Sequence, residues 1–417
     1  MRAVALVVVL LFLGGCAVDP AEETPFRPPA QPLSDGGGPP LSDAGPVPCG
    51  GTCAAGYRCD VTLQRCVDFD ECDAGRVGCG PAGLCVNTAG SWRCECDLDA
   101  FPDRRGACVR PSWHRLPDGP SPRRFPAMAL DRARGKLVLY GGESWGAGGL
   151  STLTDTWEWD GVRWQSFDAG GPGARAAAVM AWDEARSQMV LFGGAGVVGD
   201  PGHVDETWTW DGASWTQLSD AGPGKRMLHS MSFDPRRRQV LLFGGDPALP
   251  TADTWGWDGT RWSKLAVAPG TILKWQTQML TDRRNGDVLL YTGAPIGGDG
   301  GVGTTLQPSV DDLWRLEGTA WKPVPNSRPG PSTVGVSCAA WSDDGFFALL
   351  DTLNHSPQTW VWDGTWHGLE LVGPPQRMEA GAATAPDGGI VVCGGSRPFV
   401  SPSEPGGALG DCWWFGL

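Results

Sequence analysis

The sequence predicts an all-β protein: a six-bladed β-propeller preceded by small disulfide-rich modules. Three observations carry that expectation. First, the stretches 136–164, 188–215 and 239–262 superimpose as KLVLYGG…DTWEWDGVRW, QMVLFGG…ETWTWDGASW and QVLLFGG…DTWGWDGTRW, and their glycine pairs begin at Gly141, Gly193 and Gly244, a period of 52 and then 51 residues. Strand-type units repeating at that spacing are the signature of radial repetition. Second, 62 Gly, 36 Pro and 22 Trp fit many short strands joined by turns, and no long helical pattern is present. Third, ten of the 14 cysteines fall between Cys49 and Cys108, in a stretch too poor in apolar residues to build a core.

Within each unit the apolar run, such as Val190-Leu191-Phe192, is short and bounded by glycine, as a strand buried on both faces requires. Trp157-Glu158-Trp159 alternates large and polar residues as a pleated strand with one packed face does. Asp160-Gly161, Asp211-Gly212, Asp258-Gly259 and Asp363-Gly364 mark tight hairpins, since glycine tolerates positive φ. The repeat resembles the kelch motif, which implies a kelch-type propeller of the kind that forms the catalytic domain of galactose oxidase.

Later units are degenerate. Unit four has VLLYTG (288–293) and DDLWRLEGTAW (311–321); unit five has FALLDT (347–352) and QTWVWDGTW (358–366); unit six has GIVVCGG (389–395) and ends in DCWWFGL (411–417). Unit six lacks its closing tryptophan strand, and Ser112-Trp113-His114-Arg115-Leu116 lies unused before the first full repeat. That segment is expected to add as the fourth strand of blade six. Radial closure then leaves no long exposed sheet edge. The propeller is assigned residues 109–417.

At the amino terminus, MRAVALVVVLLFLGGC has one arginine, eleven apolar residues from Ala3 to Leu13, and small residues before Cys16. The run is too short to span a bilayer and reads as an export signal over residues 1–15. Leu13-Gly14-Gly15-Cys16 resembles a bacterial lipobox, which implies cleavage before Cys16 and lipidation of its thiol. Ala17 is not the aspartate that retains such lipoproteins at the inner membrane, so the resemblance implies an outer-membrane or surface location. Several acyl chains on one cysteine anchor firmly where one alone does not. Residues 16–48, rich in Pro, Gly, Asp and Ser, are expected to be a semi-extended tether.

Cys49, Cys53, Cys59 and Cys66 form a four-cysteine knot over residues 49–67, with three pairings open. The next six, Cys72, Cys79, Cys85, Cys94, Cys96 and Cys108, with Cys94-Glu95-Cys96 near the end, resemble an EGF-like module over residues 68–108. That resemblance implies the pairs Cys72–Cys85, Cys79–Cys94 and Cys96–Cys108. Asp68-Phe69-Asp70-Glu71 before the first of them, and Asn87 in Cys85-Val86-Asn87, match the calcium-binding subtype, with Trp92 where that family has Phe or Tyr. The implied ligands are the side chains of Asp68, Glu71 and Asn87 and the carbonyls of Phe69, Thr88 and Ser91. Calcium takes six to eight hard oxygens, so the residue types suit the ion. Calcium would stiffen the joint with the preceding knot.

Of the remaining cysteines, Cys393 and Cys412 fall on neighbouring strands of blade six, where a disulfide fits, and Cys338 reads as a buried small apolar residue.

The long second-to-third-strand loops are 143–154, 195–204, 294–310 and 396–409, and they share a face with the connections between blades. That face is the candidate surface for a protein or glycan ligand. A net charge of −14 argues against nucleic acid and against anionic membrane surfaces, leaving the lipid anchor as the membrane contact. Eighteen residues before the first glycine of each pair stand Arg123, Arg175 and Arg226; Lys274 holds the same offset in unit four, Arg377 an offset of 17 in unit six, and Thr333 the place in unit five. Two readings are open. The cations form a ring that receives an anion such as a uronic or sialic acid, or each pairs with the acid before the third strand: Asp155, Glu206, Asp253, Asp312 or Asp411. Repeated tryptophans are inter-blade packing, whereas Trp145 and Trp275 break the pattern and are candidates for an exposed contact.

No catalytic residue is singled out. Galactose oxidase holds copper with two Tyr and two His, but this propeller has only Tyr140 and Tyr291, in buried strands, and its five histidines lack metal-ligand spacing. The expected function is a surface-displayed, membrane-anchored interaction or adhesion protein. The alternative is a sugar-acting propeller enzyme such as a sialate mutarotase-like epimerase, which needs only acid–base groups around a sugar in the channel.

Overall fold

A computed structural model describes residues 53–417 except 61, 64, 73–77, 98, 104, 118, 147–148, 197–203, 219–221, 246–251, 268–276, 293–312, 326–335, 344–346, 352–357 and 398–406. The signal segment, Cys16, the tether, Cys49, Lys274, Trp275, Asp312 and Thr333 therefore lie outside the described residues, as do most of the loops 195–204, 294–310 and 396–409.

All regular structure among the described residues is β. The carboxy-terminal three quarters forms a propeller arrangement of four-stranded antiparallel sheets. Five blades are each built from one contiguous stretch. Blade one, for example, runs Ala127–Asp131, Lys136–Tyr140, Thr156–Trp159 and Trp164–Phe167 from the channel outward. A sixth sheet is composite: Gly381–Thr384, Ile390–Cys393 and Cys412–Gly416 take Ser112–Arg115 from the other end of the propeller as their outer strand. In its register Phe415 faces Trp113 and Trp414 faces His114. The innermost strands touch in ring order, and the last touches the first.

The second strands occupy the centre of each blade. Leu137–Tyr140, Met189–Phe192 and Val240–Phe243 are almost wholly buried, which accounts for their unbroken apolar character. At each hairpin two tryptophans pair across the turn (Trp159 with Trp164, Trp210 with Trp215, Trp257 with Trp262), their ring centroids 5.3 to 5.6 Å apart. The turn aspartate holds the hairpin: Asp160 Oδ1 accepts from the amides of Val162 and Arg163 at 2.9 and 2.8 Å.

In four blades the closing tryptophan also reaches back to its predecessor. Trp215 Nε1 donates to Thr156 Oγ1 at 3.0 Å, Trp262 to Thr207 at 2.9 Å, and Trp321 to Thr254 at 2.9 Å. Trp113 donates to Thr359 at 2.8 Å. The borrowed strand thus makes the same inter-blade bond as strands that were never displaced. In blade six Cys412 replaces that threonine, and it is joined to Cys393 across the strand pair.

The amino-terminal region consists of three short hairpins. Tyr57–Asp60 pairs with Arg65–Asp68, Gly83–Thr88 with Ser91–Cys96, and Phe101–Pro102 with Cys108–Val109. Disulfides join Cys72–Cys85, Cys79–Cys94 and Cys96–Cys108, the pairs the EGF resemblance implies. Cys53 is bonded to Cys66, and Cys59 is also disulfide-bonded. Asp68, read from sequence as the head of the second module, is the last residue of a strand of the first. The region does not end freely at the propeller: Phe101 is 5% exposed and packs with Trp113, Leu369, Ile390 and Phe415, edge-on to His367 at 5.3 Å.

Candidate functional site

Two places collect polar groups beyond what the repeat requires. The first is the joint between the small modules. Asp68 reaches across it: Oδ1 accepts from the Gly90 amide at 2.5 Å and Oδ2 from Asn87 Nδ2 at 2.7 Å. The Phe69 amide donates to the Gly56 carbonyl, and Tyr57 lies so close over Gly90 that a Cβ there would meet its ring at 2.5 Å. Asp70 is occupied locally, accepting from the Cys72 amide at 3.0 Å.

That leaves Glu71 Oε2 and Asn87 Oδ1, both buried with no hydrogen-bond partner. Buried oxygens without partners are costly, and both belong to hard-donor residues, one three positions after Asp68 and the other hydrogen-bonded to it. Thr88 and Ser91 close the same hairpin, opposite each other. Among the described residues, no three His, Cys, Asp or Glu side chains gather at metal-binding distance. A cation here would have to draw on amide and main-chain oxygens, which suits the composition of the set.

The second place is the propeller axis. The repeated arginines lie there, but not free to hold an anion. Arg123 Nη1 and Nη2 form a two-pronged pair with Asp155 at 2.8 and 2.7 Å, Arg175 pairs with Glu206 at 2.7 Å, Arg226 with Asp253 at 3.1 Å and Arg377 with Asp411 at 2.9 Å. Each guanidinium also donates to the first glycine carbonyl of its own blade: Arg123 to Gly141, Arg175 to Gly193, Arg226 to Gly244 and Arg377 to Gly394. This is the origin of the constant offset. Side-chain exposure is 1 to 6%. Of the two readings the sequence leaves open, Arg123, Arg175, Arg226 and Arg377 take the arrangement in which each cation is buried and paired with the acid before the third strand, rather than the possible anion-binding ring. Lys274 lies outside the described residues.

The second glycine of each pair locks the next blade. Gly142 N donates to the Arg175 carbonyl, Gly194 N to that of Arg226 and Gly395 N to that of Arg123, at 2.8 to 2.9 Å. A Cβ on Gly193 would meet the Arg226 carbonyl at 2.4 Å, so only glycine fits. The shared acid is used a third time, as Trp157 Nε1 donates to Asp155 and Trp413 Nε1 to Asp411, both at 2.6 Å. Burial pushes the two carboxyls up, but the guanidiniums of Arg123 and Arg377, with the tryptophan bonds behind them, hold Asp155 and Asp411 below their usual pKa.

A further latch escaped the sequence reading. Asp131, Asp183 and Asp234 end the innermost strands, and Arg134, Arg186 and Arg237, three residues on, pair with them and reach the neighbouring blade at Gly212, Arg238 and Gly318. The signal was legible: Asp-x-x-Arg recurs at the same 52 and 51 spacing as the glycine pairs.

Inside these locks lies a cavity of about 380 Å³ on the axis, bordered by every innermost strand. At one end Arg132 pairs with Asp343 at 2.9 Å, and Arg283 pairs with Glu184 and lies 3.9 Å from Asp343, a chain of charges linking blades one, five, four and two. At the other end Arg124 of blade one pairs with Glu143 and, at 3.1 Å, with Glu379 of blade six, and Ser396 Oγ donates to Glu379 at 2.9 Å. Burial raises the Glu143 carboxyl above its usual pKa, Arg124 partly offsets this, and Glu379 adds repulsion. Glu143 begins an extra hairpin, Glu143–Gly146 with Gly149–Thr152, that places Trp145 opposite Leu150 near its tip.

No family model matches the chain. The rat cartilage oligomeric matrix protein is 36% identical over 95 residues, 22% of this chain and 13% of that protein. Cysteine-rich with EGF-like domain protein 2-A of Xenopus laevis is 41% identical over 70 residues, 16% of this chain and 18% of that one. Bovine fibulin-5 is 39% identical over 57 residues, 14% and 12% of the two chains. The chain spans less than a fifth of each of these relatives. Among solved structures, one described as the structure of YjhT superimposes on 71% of this chain and 95% of its own with a TM-score of 0.52 and 16% identity. The chain is thus similar over a short stretch to EGF-like proteins, and over most of its length it shares a fold with that solved structure.

Proposed function

We propose that this is an exported interaction protein: a kelch-type, six-bladed propeller head carried behind a calcium-stiffened EGF-like module, with a lipid on Cys16 anchoring it at the bacterial outer membrane or cell surface. The observation that carries the reading is the pair of buried, unpartnered oxygens, Glu71 Oε2 and Asn87 Oδ1, beside an Asp68 that already spans two modules. Asp68, Glu71 and Asn87 would hold calcium with side-chain oxygens, and Phe69, Thr88 and Ser91 with carbonyls. The bound ion supplies charge neutralisation and fixes the angle between the modules. Disulfides at Cys72–Cys85, Cys79–Cys94 and Cys96–Cys108 belong to an oxidising, exported setting, and a matrix protein is among the relatives of this part of the chain.

The head presents its long-loop face, including the hairpin with Trp145, to a protein or glycan. No reaction is assigned to it. Calorimetric titration of the exported chain should give a calcium Kd of roughly 10⁻⁴ to 10⁻³ M, the range of extracellular modules. Glu71→Ala should weaken it about tenfold or more; unchanged affinity would remove the site. An array of glycans and matrix proteins, probed with and without calcium, tests the head.

A further inference from the structure

One turn position behaves unlike the rest of the repeat. Strand register aligns the turns between first and second strands across all six sheets. Two residues beyond the partner of Leu137, Met189, Val240, Val288, Phe347 or Ile390 stand, in blade order, Arg132, Glu184, Pro235, Arg283, Asp343 and Pro386. The residues just before them serve the scaffold and recur: Asp131, Asp183, Asp234 and Asp282 each pair with an arginine of their own turn. The position itself carries two cations, two anions and two prolines. A side chain needed by every blade would not change sign around the ring.

The pairing is equally irregular. Innermost strands touch in ring order, one to six and back to one. Arg132 nevertheless passes over blade six to Asp343 of blade five, its Nη1 and Nη2 lying 3.1 and 2.9 Å from the two carboxylate oxygens. Arg283 passes over blade three to Glu184 of blade two. The two blades passed over are those with proline at this position, which offers no charge of its own. Two chords therefore cross the mouth of the axial cavity, and Arg283, 3.9 Å from Asp343, links one to the other. Arg132, Glu184, Pro235 and Arg283 border the cavity directly. Ser232 and Thr281 also border it, on the innermost strands two residues before those turns, with their hydroxyls 2.6 Å apart between blades three and four.

The strength of these pairs sets what they can do. The arginines that lock the blades together are buried, whereas the four side chains of the chords are 23 to 40% exposed. Ion pairs so open to water are weak, and salt screens them. They add little to the ring, yet their long side chains lie across its opening. We propose that Arg132, Glu184, Arg283 and Asp343 form a gate over the short-turn mouth of the axial cavity, shut by ion pairs at low ionic strength and opened by salt. Solutes reach the cavity from this face only when the chords part. The gate uses neither the calcium site nor the lipid anchor, so it stands or falls apart from both.

The experiment places a thiol beneath the mouth. In the full chain carrying Ser232→Cys, reaction with a neutral dipyridyl disulfide is followed by absorbance, corrected for the parent chain and for N-acetylcysteine at the same salt. From about 20 mM to about 1 M salt the rate should rise about fivefold or more, because the screening length shrinks to about 3 Å. Added Arg283→Met removes one chord and the link between them. That chain should react fast already at low salt and lose most of the salt response, with the melting temperature retained. Arg236→Met deletes a cation of a neighbouring turn that pairs with Asp287 instead, and should leave the response as it was. Thr281→Cys and Glu184→Gln replace Ser232→Cys and Arg283→Met if either fails to fold. A rate independent of salt, a response unaltered in folded Arg283→Met, or an equal change in Arg236→Met would each overturn the gate.

Discussion

From Cys53 to Cys108 the chain is held by cross-links, and from Ser112 onward by burial. Among the described residues of the first region only Cys79, Ala82, Ala100, Phe101 and Cys108 are buried apolar ones, and Phe101 serves the propeller core. The second buries whole strands and adds salt-bridged arginines that tie each sheet to the next. A short chain cannot cover enough apolar surface to stay folded by burial alone, whereas six stacked sheets can. The lesson is that the two regions should fail under different stresses.

Reduction makes the largest difference. Each disulfide of a small domain contributes about 2–4 kcal/mol, so dithiothreitol should unfold residues 53–108 and abolish calcium binding. The propeller should keep its β-sheet circular dichroism, losing only what Cys393–Cys412 contributes. Joint loss of both signals would show that the regions depend on one another.

Next in size is the reverse experiment. Arg123→Met removes one partner of a buried pair, taking its donor from the Gly141 carbonyl and leaving Asp155 with the Trp157 indole but no cation. Such removals cost about 3–5 kcal/mol, and the low end applies because Asp155 is 34% exposed. Denaturant unfolding followed by tryptophan fluorescence should show the loss in the propeller and no change in calcium affinity.

The smallest effect, and one that sharpens the contrast, comes from acid. The folded pKa of His229 lies at about 3, below the ordinary 6.5, so its contribution is fully present above pH 6.5 and declines as the pH falls toward 3. The slope approaches about 1.4 kcal/mol per pH unit. In His229→Gln that slope should be absent from the pH dependence of the propeller melting temperature between pH 6 and 4, with the small modules unaffected.

The repeats were legible because each is local: a strand, a glycine pair, a tryptophan hairpin. The borrowed strand around Trp113 was legible too, since an unfilled place and an unused strand were both visible in one-dimensional order. The role of the arginines was legible as a choice of two, because ring receptor and scaffold lock share one spacing, and the geometry of Asp155, Glu206, Asp253 and Asp411 selects the pairing. Glu379 gave no signal at all: its partner Arg124 is 255 positions away, across the closure. Phe101 was hidden for a similar reason, as an aromatic in a cysteine-rich stretch points to that module's own interior rather than to Trp113 and Leu369.

The composite sixth sheet has a consequence for how the molecule comes into being. Ser112 is synthesised 300 positions before Cys412, and it faces Gly416, the penultimate residue. The strand Ser112–Arg115 pairs with Cys412–Gly416, so the disc closes only after that strand has been made. Replacement of residues 411–417 by a flexible linker would therefore leave Ser112–Arg115 and Ile390–Cys393 without their shared partner strand, and should yield a propeller that is never sealed.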